Sequence, residues 1–244
     1  MSYRNLILST YATNLIAYWP LDDTSGTVAD DKSVEANDGA YSGVTLNNTT
    51  SPKDDTPAPL WDGVNDYCNV YSAAFDTDFN ENEITISIWI KVSGAGIWTD
   101  GLAHRLIQLR VDANNRVYIQ KSATSNNLNF SYVAGATVKT VTQTGLSAVE
   151  WMHLAITVSK TADQVKAYRN GAQVGSTLTL LGTWVGALTS TNCCIGASNT
   201  GAAEPWSGWI SHAAVWKTAL SASAISDLYI LGGGSIPLLH HQGL

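Results

Sequence analysis

Residues 150–175 read EWMHLAITVSKTADQVKAYRNGAQVG, a pattern typical of a β-hairpin. From 152 to 158 every second side chain is large and apolar, the period of two that marks a strand with two different faces. A return strand is predicted at 164–169, and Asn170-Gly171 is a tight-turn signal because both residues tolerate positive φ. A hairpin alone is marginally stable, so the rest of the chain is expected to supply a sheet for it to join.

The strongest single strand is 84–92, ITISIWIKV, in which isoleucines occupy one face and Thr85, Ser87, Trp89 and Lys91 the other. Further strands are predicted along the whole chain, at 15–21, 44–47, 67–71, 105–111, 116–121, 128–133, 138–142, 173–180, 192–196 and 208–216. The one clear helix is 221–231, with Ser221 as its N-cap and three glycines after its end. Short strands at this spacing, with one late helix, predict an all-β antiparallel sandwich of the jelly-roll type.

The charge balance excludes some partners. The chain has 13 Lys and Arg against 20 Asp and Glu, a net charge of −7. This argues against nucleic acid, which selects a basic surface, and against an anionic membrane surface. Nine Trp and ten Tyr stand beside three Phe, and because Trp and Tyr carry a polar group they are expected at half-wet faces or interfaces.

The cysteines and the chain ends give little sign of a disulfide framework or a targeting segment. Cys193 and Cys194 are adjacent and would point to opposite faces of a strand, so together with Cys68 they are expected to be free buried thiols. No recognisable signal peptide or membrane span is present. One domain is expected at 15–231, with an N-terminal arm at 1–14 and a tail at 232–244.

Five segments, in order, resemble the laminin-G-like family of concanavalin-A-like jelly rolls. They are AYWPLDDTSGTVADDKSVEANDG at 17–39, LWDGVNDYCNV at 60–70, ITISIWIKV at 84–92, the hairpin 150–175, and WSGWISHAAVWKTALSASAISDLY at 206–229. The resemblance implies a two-sheet jelly roll over about 15–231. It does not select a function, because this fold carries lectins, glycanases, adhesion modules and virion proteins alike.

The resemblance also suggests a structural Ca²⁺ site near the first loop. Hard oxygen ligands are available there, from Asp30, Asp31, Asn37 and Asp38. However, an acidic pair expected in the last strand is replaced by Ile210-Ser211-His212, which removes one or two carboxylates. The alternative is a loop whose Asp and Asn side chains build local turns.

A saccharide site is a second possibility, since aromatic rings stack on sugars and polar neighbours bind their hydroxyls. Trp98 with Asp100, Trp206 with Trp209, and Trp184 in a glycine-flanked loop are the candidates. The alternative is that each Trp packs at the edge of the sandwich or against a neighbouring subunit.

Hydrolysis is disfavoured by the same sequence. Retaining glycosidases need two carboxyl groups about 5 to 5.5 Å apart. Only five Glu are present, and the one close pair, Glu81 and Glu83, precedes the strand 84–92 without a third acid. We therefore expect a binding or structural protein and not an enzyme.

Two functions stay open at this point. The first is a virion or surface assembly protein, such as a phage decoration, fibre or tail component, with the apolar ends 1–13 and 235–244 docking on itself or on other virion proteins. The second is a carbohydrate-binding adhesion module, with or without Ca²⁺. Both predict a virion or an extracellular surface as the location.

Overall fold

The computed structural model describes residues 1–231 and contains two antiparallel sheets. The strands of sheet A are β1 Leu15–Trp19, β4 Thr45–Thr50, β5 Pro57–Asp62, β7 Glu83–Val92, β12 Met152–Ser159, β13 Gln164–Arg169, β14 Ala172–Leu178 and β16 Ser207–Trp216. They lie in the order β14-β13-β12-β7-β16-β5-β4, and β1 pairs with the second half of β16.

The second sheet packs across from the first. The strands of sheet B are β2 Val28–Ala29, β3 Gly39–Ser42, β6 Tyr67–Asn69, β8 His104–Asp112, β9 Asn115–Lys121, β10 Leu128–Ala134, β11 Thr137–Gln143 and β15 Cys194–Ile195. Their order is β11-β10-β9-β8-β15-β6-β3-β2. The helices are α1 Tyr3–Asn5, α2 Ala73–Asp78 and α3 Ala222–Ile230. The predicted antiparallel sandwich with a short C-terminal helix is confirmed.

The hairpin of β12 and β13 forms as its sequence predicts. Leu154 pairs with Arg169 and Ser159 with Gln164, and Asn170 and Gly171 adopt φ of 51° and 78° in the turn that leads to β14. On its other side β12 pairs with β7 along its whole length, from Met152 to Ser159. The hairpin thus extends a sheet whose centre is the isoleucine-rich strand.

One large core lies between the sheets. The isoleucines of β7 and the apolar alternation of β12 meet the inward side chains of sheet B, among them Ile107, Val117, Ile119 and Phe130. All three cysteines are buried and free, as predicted. Burial of aliphatic and aromatic surface on this scale is the main favourable term in folding.

A second apolar cluster covers the outer face of sheet A. Outward residues of β7, β12 and β13, including Trp89 and Tyr168, are buried beneath the N-terminal segment and α3. From the N-terminal segment come Tyr3, Leu6 and Ile7, where α1 continues into a π-helical turn at Leu6–Thr10. The segment 1–13, which the sequence suggests as a docking arm, therefore packs on its own domain.

Both covering segments are fixed by hydrogen bonds. The backbone N–H groups of Tyr3 and Arg4 donate to the Asp54 carboxylate, at 2.7 and 2.9 Å. The Tyr11 hydroxyl donates to Asp227 of α3 at 2.6 Å, which joins the two covers. As predicted, Ser221 caps α3, its Oγ accepting from the Ala224 N–H at 3.2 Å.

The predicted tail at 232–244, including its share of the proposed docking arms, lies outside the described residues. Within residues 1–231, no helix is long and apolar enough to cross a membrane.

Candidate functional site

The acidic loop after β1 builds turns with its carboxylates. Asp31 Oδ1 accepts from the N–H groups of Tyr18 and Ser33, both at 2.8 Å, and Oδ2 accepts from the N–H of Asn37 at 2.7 Å and from the Ser33 hydroxyl at 2.7 Å. Asp38 Oδ1 accepts from the Asp31 N–H at 2.8 Å. Both carboxylate oxygens of Asp31 and one of Asp38 thus accept hydrogen bonds from donors within the protein.

The other two predicted calcium ligands are also engaged. Asp30 pairs with Lys32 at 2.7 Å, and the Asn37 side chain bonds the Ile16 carbonyl and the Ser72 hydroxyl, both at 2.9 Å. Among residues 1–231, no group of three or more His, Cys, Asp or Glu side chains is arranged to hold a metal ion. The geometry matches the turn-building alternative.

The departure in the last strand has a structural reason. His212, at φ 48°, forms a bulge in β16 where pairing with β7 shifts between Ser211 and Ala214. Its Nδ1 lies 2.8 Å from the Tyr18 hydroxyl and its Nε2 3.3 Å from Ser51 Oγ. Burial lowers the pKa of His212 to about 3, so a neutral imidazole fills the position where a carboxylate was expected.

Three of the predicted sugar-stacking tryptophans are buried. Trp98, Trp184 and Trp206 all belong to the core between the sheets. Trp98 Nε1 donates to the Ala148 carbonyl at 2.8 Å, and Trp184 packs on Tyr132 with ring centres 5.9 Å apart. Their rings have no free face for a saccharide, which corrects the expectation for these three and leaves their packing role.

Asp100 is engaged in an internal network. Its carboxylate accepts from Lys121 Nζ at 2.5 Å and lies 2.6 Å from His104 Nε2. Burial alone would raise the pKa of Asp100, but the hydrogen bonds from Lys121, the Leu102 N–H and His104 together lower it. The buried Lys121 would lose its only acidic partner in the described chain if Asp100 turned outward to bind a sugar.

Trp209 is the predicted aromatic that stays partly exposed. It points outward from β16 beyond the covered part of sheet A, and its Nε1 donates to Asn48 Oδ1 at 2.8 Å. Lys91 Nζ lies 5.4 Å from the centre of its ring. A shallow concavity of about 410 Å³ lies nearby, lined by residues of β4, by the first residue of β5 and by the turn between them, including Asn48, Thr50 and Asp55.

The acidic pair considered for hydrolysis is separated by its contacts. Glu83 Oε1 accepts from Ser159 Oγ at 3.0 Å and from the Thr161 N–H at 3.1 Å, which ties β7 to the end of β12. Glu81 instead accepts from the neighbouring Asn82 amide at 3.1 Å. The Glu83 carboxylate therefore supports the turn that follows β12.

A polar surface lies on the outer side of four strands of sheet B. The registers of β8, β9, β10 and β11 place polar residues in rows across the sheet, because the inward alternates are apolar. We call this surface the open face. Three of its outward polar residues are buried, namely Arg105, Gln108 and Ser131. The others keep some exposure, namely Arg110, Arg116, Tyr118, Gln120, Asn129, Thr140 and Thr142.

The rows of the open face are internally hydrogen-bonded toward β11. Ser131 and Thr140 hydroxyls lie 2.8 Å apart, and Thr142 donates to Asn129 Oδ1 at 2.9 Å. Tyr118 and Gln120 on β9 stay half-exposed in the middle of the face. The result is a shallow surface that presents an aromatic ring among amide and hydroxyl groups.

One border of the open face is a loop that carries Ser198 and Glu204. Gln108, fully buried, donates its amide to the Ser198 carbonyl, while its Oε1 has no partner within residues 1–231. Arg105 donates through Nε and Nη2 to Glu204, at 3.2 and 2.5 Å. Burial lowers the pKa of Arg105, an effect that Glu204 opposes. Buried polar atoms without partners are uncommon, and they concentrate here.

The sequence contained a signal for this surface. The strands 105–111 and 116–121 were predicted, and Arg116, Tyr118 and Gln120 alternate with Val117 and Ile119. Period-two alternation marks these residues as outward. What it cannot supply is the register that brings Arg105 and Arg110 of the neighbouring strand beside them.

Comparison with known proteins places the fold. A family model described as the concanavalin A-like lectin/glucanases superfamily matches residues 62–226, while no curated protein matches the chain.

Three solved structures illustrate the likeness. Domain 4 of an extracellular family 43 arabinanase from Geobacillus stearothermophilus, in complex with arabinotriose, has a TM-score of 0.62 at 16% identity, over 88% of this chain and 98% of that one. The receptor-binding domain of botulinum neurotoxin C/D mosaic serotype has a TM-score of 0.69 at 16% identity, over 90% and 51%. The binding domain of Paraclostridial Mosquitocidal Protein 1 has 0.67 at 16%, over 89% and 52%.

The chain spans about half the length of the two toxin-derived binding domains and nearly all of the arabinanase domain. At these identities the likeness establishes the fold alone.

Proposed function

The chain belongs to the concanavalin A-like lectin/glucanases superfamily, and from this premise we propose that it binds saccharides on the open face without hydrolysing them. The observation that carries the proposal is the half-exposed Tyr118 set among outward amides, hydroxyls and guanidinium groups on β8 to β11. Binding sites for small polar ligands combine apolar or aromatic surface with a few fixed polar groups. The arabinanase domain, recorded with arabinotriose, supports the proposal by analogy of fold.

Binding fits the open face better than hydrolysis does. Its outward residues on β8 to β11 include neither Asp nor Glu, and Glu204 at the border is held by Arg105. A glycosidase needs an acid and a second carboxylate on either side of the scissile bond. We therefore propose recognition as the whole activity of this face.

A second candidate surface is the exposed end of sheet A around Trp209. Its half-exposed ring, the Asn48 amide and the adjacent concavity are a smaller version of the same combination. Of the tryptophans predicted from the sequence to stack on a sugar, Trp209 is the one with a partly exposed ring. Its replacement is therefore compared with that of Tyr118 in the experiment.

The test is a glycan array followed by titration calorimetry of the best ligand. We expect Tyr118→Ala to weaken binding at least about tenfold, since stacking and one or two hydrogen bonds are lost. Trp209→Ala is the matched aromatic control and should leave the affinity unchanged. The reverse pattern would move the site to sheet A, and a wild-type protein that binds no saccharide would overturn the proposal.

Calcium stays a separate prediction at Asp30, Asp31, Asn37 and Asp38. It is tested by comparing the thermal midpoint with millimolar CaCl₂ and with EDTA, before and after Asp38→Asn. A midpoint that rises with CaCl₂ only in the wild type would support the site, and equal midpoints would support the turn-building role.

The virion or surface-assembly role also stays a prediction. One of its motives was the apolar segment 1–13, and that segment is packed on sheet A of its own domain. Light scattering of the full chain and of a chain ending at residue 231 tests the rest of it. An oligomer that falls to a monomer on trimming would support assembly through the tail.

A further inference from the structure

Two arginines face each other across neighbouring strands of the open face. Arg110 of β8 and Arg116 of β9 are directly opposite in the register. Side chains at such positions are typically about 5 Å apart at Cβ, and like charges there are destabilising. Within residues 1–231 neither guanidinium has an ion pair or a side-chain hydrogen bond, and the Nε atoms of both are buried without a partner. We call these two residues the arginine pair.

The acid nearest in sequence to the pair is already used. Asp112, two residues after Arg110, accepts through Oδ1 from the Asn114 N–H at 2.8 Å and from the Asn115 amide at 3.1 Å. Its carboxylate therefore holds the β8–β9 turn. The Asn114 N–H lowers the pKa of Asp112 most and the charge of Arg110 lowers it further, so Asp112 offsets part of the charge of Arg110. Neither arginine of the pair forms an ion pair within residues 1–231.

A third arginine extends the positive surface. Arg105 is only 4% exposed, yet its Nη1 has no partner within residues 1–231. Its guanidinium carbon lies 3.9 Å from the centre of the Tyr118 ring, and that of Arg116 lies 5.3 Å from the same centre. Arg105 thus stacks on a face of the Tyr118 ring and Arg116 lies farther from it, so that hydrogen-bond donors are concentrated around this side chain.

The rest of the molecule makes this concentration unusual. The chain carries a net charge of −7, and Arg4 and Arg169 are its only other arginines. Arginine in place of lysine favours planar groups that accept two parallel hydrogen bonds, such as carboxylate and sulfate. In the row of Arg116 the neighbour on β10 is Val133, and two rows farther along β9 Gln120 pairs with Asn129, where both offer amides suited to sugar hydroxyls.

We propose that the open face selects acidic saccharides, with the carboxylate or sulfate group of a sugar held between Arg110 and Arg116 and the sugar ring lying against the part of Tyr118 that Arg105 leaves exposed. This inference rests on the proposed saccharide binding and adds the ligand class. The ligand supplies the negative charge that the arginine pair lacks. Uronate and sulfate ester share the required chemistry.

The experiment compares matched saccharides by calorimetry. Oligogalacturonate is paired with its methyl ester, and dextran sulfate with dextran, so that the two sources of the acidic group are distinguished. We expect the acidic member of at least one pair to bind ten times more tightly or better. Arg110→Gln/Arg116→Gln should remove that preference, at roughly tenfold for each arginine, because the acidic member loses its charge-assisted hydrogen bonds. The neutral member should be weakened by a much smaller factor, because it loses only hydrogen bonds to its hydroxyl groups.

A charge-matched control separates recognition from general attraction. Lys166→Gln/Lys217→Gln removes the same number of positive charges from sheet A, at β13 and just after β16, and should leave the preference intact, since charges beyond about 10 Å are screened at 0.1 M salt. All variants are compared only after their thermal midpoints are measured, and Arg116→Gln alone serves if the double variant is unstable.

The outcomes distinguish the two proposals. Equal binding of acidic and neutral members, or equal losses in the arginine and lysine variants, overturns the acidic preference but keeps saccharide binding. Tighter binding of single-stranded DNA than of any saccharide overturns the ligand class. If Tyr118→Ala weakens neutral and acidic binding alike while the arginine variant weakens acidic binding far more than neutral binding, both proposals stand.

Discussion

The outer faces of the two sheets differ in what they present and in what covers them. On sheet A the outward residues of β7, β12 and β13 include Trp89, Ala155 and Tyr168, and both the N-terminal segment and α3 pack on them. On sheet B the outward residues of β8 to β11 are mostly polar, and several stay half-exposed. Within residues 1–231, the covered face thus resembles a second core and the open face a binding surface.

The difference shows where stability and recognition are placed. Burial of apolar area on sheet A stabilises the folded state, whereas the like charges of Arg110 and Arg116 on sheet B repel each other and destabilise it. Changes to the covered face should therefore be large and destabilising. Changes to the open face should be small for stability and large for ligand binding.

Acid should act first through the covered face. Burial lowers the pKa of His153 and of His212 to about 3, against about 6.5 in an unfolded chain. Between these values the unfolded chain binds more protons, so stability falls as the pH falls, by up to about 1.4 kcal/mol per pH unit for each histidine. Urea midpoints measured from pH 7.5 to 4.5 should decline steeply.

A substitution locates this effect. His153 contacts Ser87 at 2.8 Å and has a buried Nδ1 without a partner in the described chain, so His153→Gln should lower stability at neutral pH but flatten the acid decline. Gln120→Ala on the open face is the control and should keep the wild-type slope. An unchanged slope in His153→Gln would contradict the assignment.

The next largest effect is expected under the N-terminal cover. Ile7 is fully buried on sheet A, and Ile7→Ala should cost about 2–5 kcal/mol of unfolding free energy because a large aliphatic side chain is removed from a packed site. Val138→Ala, at a position 61% exposed on sheet B, should change it by less than about 0.5 kcal/mol. Denaturant unfolding measures both, and similar costs would remove the distinction between the faces.

The sequence predicts the sandwich because its evidence is local. A few consecutive residues are enough to predict each of these elements: the alternating strands 84–92 and 152–158 and the Asn170-Gly171 turn. The cover on sheet A was missed for the opposite reason. Leu6 and Ile7 are visibly apolar, but Trp89 and Tyr168, the rings they cover, lie more than eighty residues away.

The tryptophans show a similar limit. Trp98 and Trp206 lie in loop-like sequence, which suggested exposure, whereas the fold turns both rings inward. Predicting the open face requires both the outward positions within each strand and the register between strands. Outward alternation in β9 was available, but the neighbour relation of Arg110 to Arg116 depends on the strand register.

Alkaline pH should raise the stability of the protein through the covered face, whereas acid lowers it. Lys53 is 2% exposed, with Nζ 4.0 Å from the Trp89 ring centre and 3.0 Å from the Tyr229 carbonyl. Both contacts favour the ammonium, yet burial dominates and lowers the pKa of Lys53 to about 7, while Asp54 opposes the shift. From pH 7 to about 9 the unfolded chain binds more protons, so stability should rise with pH, by at most about 1.4 kcal/mol per unit.

Lys53→Met tests this rise, because it keeps a flexible apolar side chain in the site and removes the titrating group. Thermal midpoints of the variant should be flat between pH 7 and 9, where the wild type gains. Lys166→Met, on β13 of sheet A, is the control and should follow the wild type. A wild type without the rise would show that the contacts to Trp89 and Tyr229 outweigh burial.

The smallest expected effect is the most informative about the open face. Arg116→Thr removes one member of the arginine pair and places a β-branched residue in a strand, so unfolding free energy should rise by about 0.2–0.5 kcal/mol at low ionic strength. The gain should vanish near 1 M NaCl, where the Debye length is about 3 Å. Lys166→Thr should bring no comparable gain, since Lys166 lies on sheet A, away from the arginine pair. A loss of 1 kcal/mol or more in Arg116→Thr would mean that the guanidinium is stabilised in the free protein. A higher free energy of unfolding in Arg116→Thr would mean that the arginine pair does not serve folding. Its two like charges would then be suited to a ligand that brings an anion between them.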